Sequence, residues 1–210
     1  MVAVGPQLRS DAQRNLERIL DAARAVFAEL GVDASVADVA ERAGVGTATI
    51  FRRFPTKDDL VAAVLEAELE SVLARLDAAE SDDPAAALTD FVTAAVETFI
   101  GDRCLCQVSG GELFERPRLA ELVAGLRDAL DRLLRRAQRA GVVRKDVVSA
   151  DIGFLISAIG QAGMRLERTA PGSWRRYVEI VLDGLRPEGA RRLRHRAPTE
   201  QQLHDAKTGP

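Results

Sequence analysis

The stretch SVADVAERAGVGTATIFRRFPTK, Ser35 to Lys57, decides how this chain folds. It opens with Ser35-x-x-Asp38, in which a hydroxyl and a carboxylate three residues apart satisfy the first free N–H groups of a helix. Val36, Val39, Ala40 and Ala43 then recur at helical spacing. Gly44-Val45-Gly46 breaks that helix, and a compact second one is expected from about Thr47 to Arg53, stopped by Pro55. Two short capped helices meeting at a glycine turn form a helix-turn-helix, whose second helix enters the major groove of DNA. Ile50 and Phe54, four apart, would pin the second helix to the core, and the same geometry turns Thr47, Ala48, Thr49 and Arg52 outward. From Gly44 to Lys57 the charged residues are Arg52, Arg53 and Lys57, with no acidic one among them.

Outward from this stretch the pattern stays helical. On the N-terminal side, Leu16, Ile19, Leu20, Ala23, Val26, Phe27 and Leu30 define one stripe from about Asp11, closed by Gly31. Residues 1–10 read as a flexible arm and 11–57 as the helix-turn-helix domain. On the C-terminal side, Thr56-Lys57-Asp58-Asp59 caps a connecting helix over 58–79, and Ser81-Asp82-Asp83-Pro84 is a turn with proline at the first helical position. Helices are expected near 84–100, 117–140, 146–168 and 173–185, with 101–116 irregular around Gly110-Gly111. Residues 58–186 thus form a second helical domain, and the Arg-rich, then polar 187–210 is expected to be a disordered tail. The fold class is all-α.

Composition restricts the function classes. The 210 residues are 47% hydrophobic and 29% charged with 4% aromatics, an ordinary soluble balance weighted towards helix formers. The formal net charge is −3, so binding to a polyanion must use a local basic surface rather than the field of the whole molecule. No signal-peptide pattern opens the chain, and no apolar run reaches the about 18 residues of a membrane span. The two cysteines, Cys104 and Cys106, form no disulfide framework, which suits a reducing cytoplasm. They also make no closed metal site, since both histidines, His195 and His204, lie in the tail. With no histidine before position 195, His-based acid–base chemistry is excluded from the folded body. Gly44-x-Gly46 lacks the third glycine of a dinucleotide loop and follows a helix rather than a strand, and the phosphate-loop, zinc-protease and nucleophile-elbow motifs are missing. Neither an enzyme nor a cofactor is expected.

The register Val36-x-Asp38-Val39-Ala40-x-x-Ala43-Gly44-Val45-Gly46-x-x-Thr49-Ile50-Phe51-x-x-Phe54-x-x-Lys57-x-x-Leu60 resembles the DNA-binding signature of the tetracycline-repressor (TetR) family over about residues 12–65. The resemblance implies a three-helix DNA-binding domain followed by a variable helical domain for ligand binding and dimerisation. It also implies a regulator, most often a repressor, of double-stranded operator DNA, acting in the cytoplasm and associated with the nucleoid when bound. Carried over residue by residue, Ser35 would donate to a phosphate. Gly46, Thr47, Ala48 and Thr49 would approach bases and phosphates at the start of the recognition helix. Arg52 and Arg53 would clamp phosphate or guanine, and Lys57 would bind phosphate. Three positions depart from the family's common residues: Phe51 stands for Tyr, Gly46 for Ser and Arg53 for His. The Phe51 ring retains only packing against the sugar–phosphate wall.

The second domain carries two further expectations. Phe154 to Met164 is apolar or small on every side, with Gln161 the large polar exception, so a helix there is buried all round. The resemblance implies one side towards a ligand cavity and the other towards a partner subunit. Ala158 and Ala162, with Gly160 and Gly163, would admit a close approach, joined by Tyr177, Ile180, Val181 and Leu185 of the last helix in a homodimer. Phe91, Phe99, Leu105, Phe114, Leu122, Leu126 and Gln161 are candidates to line a pocket for an apolar or amphipathic small-molecule effector, or else plain core. The basic run Arg191-Arg192-Leu193-Arg194-His195-Arg196 reads as solvated tail. A ligand-sensing or scaffold protein without DNA function is the competing class.

Overall fold

A computed structural model describes residues 6–78, 83–102, 112–199 and Gln202; for 6–13, Ala78 and Glu112 only the backbone is described. The described residues form eight α-helices and a single 3-10 turn, with no strand among them. The helices are α1 (Pro6–Leu30), α2 (Val36–Ala43), α3 (Thr47–Arg53), α4 (Lys57–Ala78), α5 (Pro84–Gly101), α6 (Pro117–Arg139), α7 (Ser149–Leu166) and α8 (Trp174–Gly184). The 3-10 turn, Glu112–Glu115, runs into α6.

Local chemistry sets most of these ends. Among the described residues helix α1 is already helical at Pro6, earlier than Asp11. It stops where Gly31 takes a left-handed φ of 78° and its N–H bonds back to the Phe27 carbonyl at 2.8 Å. Helix α5 is capped by Asp83, whose carboxylate accepts from the Ala85 and Ala86 N–H groups, with Pro84 at the first position. Helix α7 begins at Ser149, later than the spacing predicts, because Asp151 turns back to accept the Val148 N–H at 3.0 Å.

Two apolar cores organise the helices. The first joins Ile19, Ala23, Val26 and Phe27 of α1 to α2, α3, the first half of α4, and Leu119 and Leu122 of α6. Leu60, Val61, Val64 and Leu65 therefore belong to the core of the N-terminal head formed with α1, α2 and α3. Leu30, placed on the α1 stripe by sequence, is half exposed because the chain turns away at Gly31. The second core gathers α5, α6, α7 and α8 around Val96, Leu134, Ile152 and Trp174, with Leu76 from the end of α4. Leu73, Phe99 and Leu126 pack against both cores and form the seam.

Helix α7 lies tightly on α5 through two glycines. A Cβ at Gly160 would sit 2.5 Å from Phe99 Cβ, and one at Gly163 would sit 2.6 Å from Ile100 Cδ1 and 3.1 Å from Trp174 Cβ. These glycines serve packing within the chain, not the subunit contact the sequence suggested. Residues 187–199 are not helical and are almost wholly exposed, with two bonds to the body. The Asp146 carboxylate, itself held by Arg144, accepts the Leu193 N–H at 3.0 Å, and Arg144 donates to the Arg191 carbonyl. Residues 200, 201 and 203–210 lie outside the described residues.

Over-packing costs about 1–3 kcal/mol. Gly160→Ala is therefore expected to lower the unfolding free energy by about that amount, read from urea denaturation. Gly153, on the same helix with nothing within 4 Å of its Cβ position, should instead accept alanine with a gain of up to about 1 kcal/mol.

A candidate nucleic-acid interface

The helix-turn-helix is built from one sharp turn and two buried faces. Helix α2 buries Val36, Val39, Ala40 and Ala43 and ends at Gly44, which adopts a left-handed φ of 65° and ψ of 37°. A side chain is strained in that conformation, so glycine makes the turn. Arg18 of α1 reaches across and donates from Nη2 to the Ala43 carbonyl at 2.7 Å, occupying an acceptor that the end of α2 leaves open. A bidentate pair of Arg42 with Glu29 binds α2 to α1 a second time.

Helix α3 then presents one face and buries the other. Ile50 is fully buried and Phe54, its C-terminal cap, is 8% exposed. On the opposite side Gly46, Thr47, Ala48, Arg52 and Arg53 are exposed, and Phe51 is 45% exposed, a large apolar side chain left in solvent. Thr49 is only half exposed, less than the sequence geometry implied. No side chain caps the N-terminus at Gly46. Lys57, at the first position of α4, is half-buried beside this surface in sequence.

Ser35, exposed, caps α2. Its hydroxyl accepts the Asp38 N–H at 3.2 Å and gives its own proton to Asp38 Oδ2 at 2.7 Å, while the Ser35 N–H donates to the same oxygen at 2.7 Å. Those bonds hold the Asp38 carboxyl below its ordinary value, the Ser35 hydroxyl first and the Ser35 N–H second. Sequence reasoning missed Arg18 and Arg116, which meets Asp59 at 2.9 Å, because each acts on a residue far away in the chain.

The profile described as "Bacterial regulatory proteins, tetR family" matches residues 19–64, and one described as "Transcriptional regulator SbtR-like, C-terminal domain" matches residues 83–187. The chain belongs to the TetR family. It is 32% identical over 131 residues to an HTH-type transcriptional regulator of Mycobacterium bovis, covering 60% of this chain and 68% of that protein. The TetR transcription regulatory protein of Mycobacterium vanbaalenii superposes with a TM-score of 0.63 at 33% identity, over 85% of this chain and 99% of that one. Over 75 residues, 35% of this chain and 37% of the relative, it is 41% identical to the HTH-type transcriptional repressor KstR of Mycolicibacterium smegmatis. As a TetR-family protein it is a DNA-binding transcriptional regulator and not an enzyme.

Within this TetR-family fold, the candidates of the second domain separate. Leu122 is buried in the first core, Phe114 packs on it half-buried, and Phe99 and Leu126 lie in the seam. Phe91 flanks a crevice of about 190 Å³ between α4 and α5, lined also by Val72, Arg75, Asp90, Ala94 and Ala95. Gln161 is corrected: it is exposed on the outer face of α7, its Nε2 donating to Ser157 Oγ at 3.4 Å, and does not reach the interior. Leu105, with Cys104 and Cys106, lies outside the described residues. On the outer face, Ala158 and Ala162 are exposed beside Tyr177 (48%) and Ile180 (55%), with Val181 half-buried. Phe154, 64% exposed, is a further apolar member of this face. Leu185 is corrected to the second core, 6% exposed, because the chain folds back there and Arg144 bonds its carbonyl. Among the described residues no helix is long and apolar enough to cross a membrane, and no three His, Cys, Asp or Glu side chains are grouped to hold a metal.

The capping box predicts an acid response. Because the folded Asp38 carboxyl is held low, its stabilisation is complete above the unfolded aspartate value, about 4, and is lost as pH falls through the folded one. Amide exchange in the first turn of α2, normalised to unstructured rates, should accelerate on acidification below about pH 4. Asp38→Asn should remove that acid step.

Proposed function

We propose that the protein is a homodimeric repressor, cytoplasmic and nucleoid-associated when bound, that inserts α3 into the major groove of operator DNA and is released by a small apolar or amphipathic effector. The observation that carries this reading is the two-sided character of α3, with Ile50 and Phe54 anchored in the core and Thr47, Ala48, Arg52 and Arg53 free to face DNA. Arg52 and Arg53 supply the local positive charge that a chain of net charge −3 needs to approach phosphates. Gly46, Thr49 and Phe51 complete the contact surface, and Lys57 supplies a phosphate contact beside it. Ser35, exposed at the start of α2, supplies a further phosphate contact there. The identity to the KstR repressor favours repression over activation.

Dimerisation is supported by the outer face of α7 and α8. Five apolar groups, Phe154, Ala158, Ala162, Tyr177 and Ile180, are exposed there, with Val181 half-buried. A monomer leaves such a face in water at a hydrophobic cost. Paired recognition helices must also meet major grooves about 34–36 Å apart, which one chain cannot do. An effector received between α4, α5 and α6, where Phe91 lines the crevice and Phe99 and Leu126 fill the seam, would favour a dimer with its heads wrongly spaced.

A gel shift against DNA from the protein's own upstream region, at two salt concentrations, tests the DNA reading. Affinity should fall steeply with salt as counterions are released. Arg53→Ala should weaken binding to every sequence, whereas substitutions at Thr47 or Ala48 should change sequence preference. Equal affinity of the unmutated protein for operator and scrambled DNA sinks the assignment. For the dimer, Phe154→Glu should shift the sedimenting species from dimer to monomer at micromolar concentration with the helical content unchanged; a monomeric unmutated protein refutes it.

A further inference from the structure

The DNA-binding head and the helical body are joined by an ion pair as well as by apolar packing. Arg116, immediately before α6, donates from Nη1 to Asp59 Oδ1 at 2.9 Å across 57 positions of sequence. The other carboxylate oxygen, Oδ2, accepts the Thr56 N–H at 2.9 Å and the Thr56 hydroxyl at 2.7 Å, and Thr56 Oγ1 accepts the Asp59 N–H at 3.1 Å. Asp59 therefore closes the first turn of α4 with one oxygen and is gripped from the body with the other. Both sets of bonds hold its carboxyl below its ordinary value, the Thr56 hydroxyl first and Arg116 second. Lys57 lies inside the turn that this carboxylate closes. On either side of Arg116, Leu113, Phe114, Leu119 and Leu122 pack onto the head's own core, so the guanidinium is carried by a segment already seated against the head.

We propose that Arg116 is a positioning residue for DNA binding: by gripping Asp59 it fixes the first turn of α4 and so aims the Lys57 ammonium at a DNA phosphate. The inference rests on the DNA-binding reading and extends it to a residue of the body. Partly exposed ion pairs contribute little to stability, so geometry is what this one supplies. The pair leaves 37% of the Arg116 side chain and 31% of the Asp59 side chain exposed. The planar guanidinium holds one carboxylate oxygen in a set direction, which keeps the other oriented for the cap. Without that grip the Asp59 side chain can rotate off Thr56, and the turn bearing Lys57 loses its fixed start.

The test uses the full chain and a fluorescein-labelled duplex of its own upstream region, with anisotropy titrations across several salt concentrations. Arg116→Ala should weaken binding about three- to ten-fold and reduce the salt slope by about 0.9, the value for one phosphate, with Tm unchanged. Arg116→Lys, which keeps the charge without the planar fork, should recover only part of the loss. Lys57→Ala should show the same reduced slope, and adding Arg116→Ala to it should weaken binding less than about two-fold further. The proposal is overturned if Arg116→Ala binds like the unmutated protein, if its loss multiplies with that of Lys57→Ala, if Lys57→Ala itself has full affinity, or if the loss tracks a fall in Tm. An unmutated protein indifferent to duplex DNA overturns the functional reading itself, and this inference with it.

Discussion

The burial of one side of a seven-residue helix is the constraint on which the molecule depends. A helix as short as α3 cannot sustain itself in water, because nucleation is costly and so few hydrogen bonds return that cost. Its shape is borrowed from Ile50 and Phe54, which enter the core of α1, α2 and α4. The left-handed turn at Gly44 sets the angle at which α3 leaves α2, and Arg18 ties the end of α2 back to α1. Two capping boxes, Ser35 with Asp38 and Thr56 with Asp59, define where α2 and α4 begin. The exposed side chains of α3 are therefore displayed by a rigid frame although they make few bonds of their own.

That frame does not stop at the head. The head's core takes in the first half of α4 and the beginning of α6, so its boundary cuts through helices rather than falling in a linker. Leu73, Phe99 and Leu126 then connect this core to the second one. Phe99 also fills the space over Gly160, so the seam and the close α5–α7 contact share a side chain. A rearrangement of α5 against α6 has a continuous packed route to α4, and packed interiors transmit displacement because they contain little free volume. On the outside, the same α7 shows Phe154, Ala158 and Ala162 to solvent. One helix thus serves an intramolecular contact on its glycine side and offers an apolar surface on the other.

Features governed by near neighbours were legible in the chain alone. The capping boxes, the Gly44 turn, the proline at position 84, the Gly31 stop and the alternation of buried and exposed positions in α2 and α3 depend on residues within four of one another, where backbone geometry permits few outcomes. They determined an all-helical protein with a helix-turn-helix near its N-terminus and located its basic surface. Tertiary structure decided what long-range partners do. It drew Leu185 into the second core, put Gln161 on the outside, bonded the Leu193 N–H to Asp146 and brought Arg116 to Asp59. A helical pattern says which side of a helix is apolar, but a helix apolar on every side, such as α7, carries no mark telling one neighbour from another. The closeness of Phe99 and Ile100 to Gly160 and Gly163 separates the face turned inward from the face left exposed.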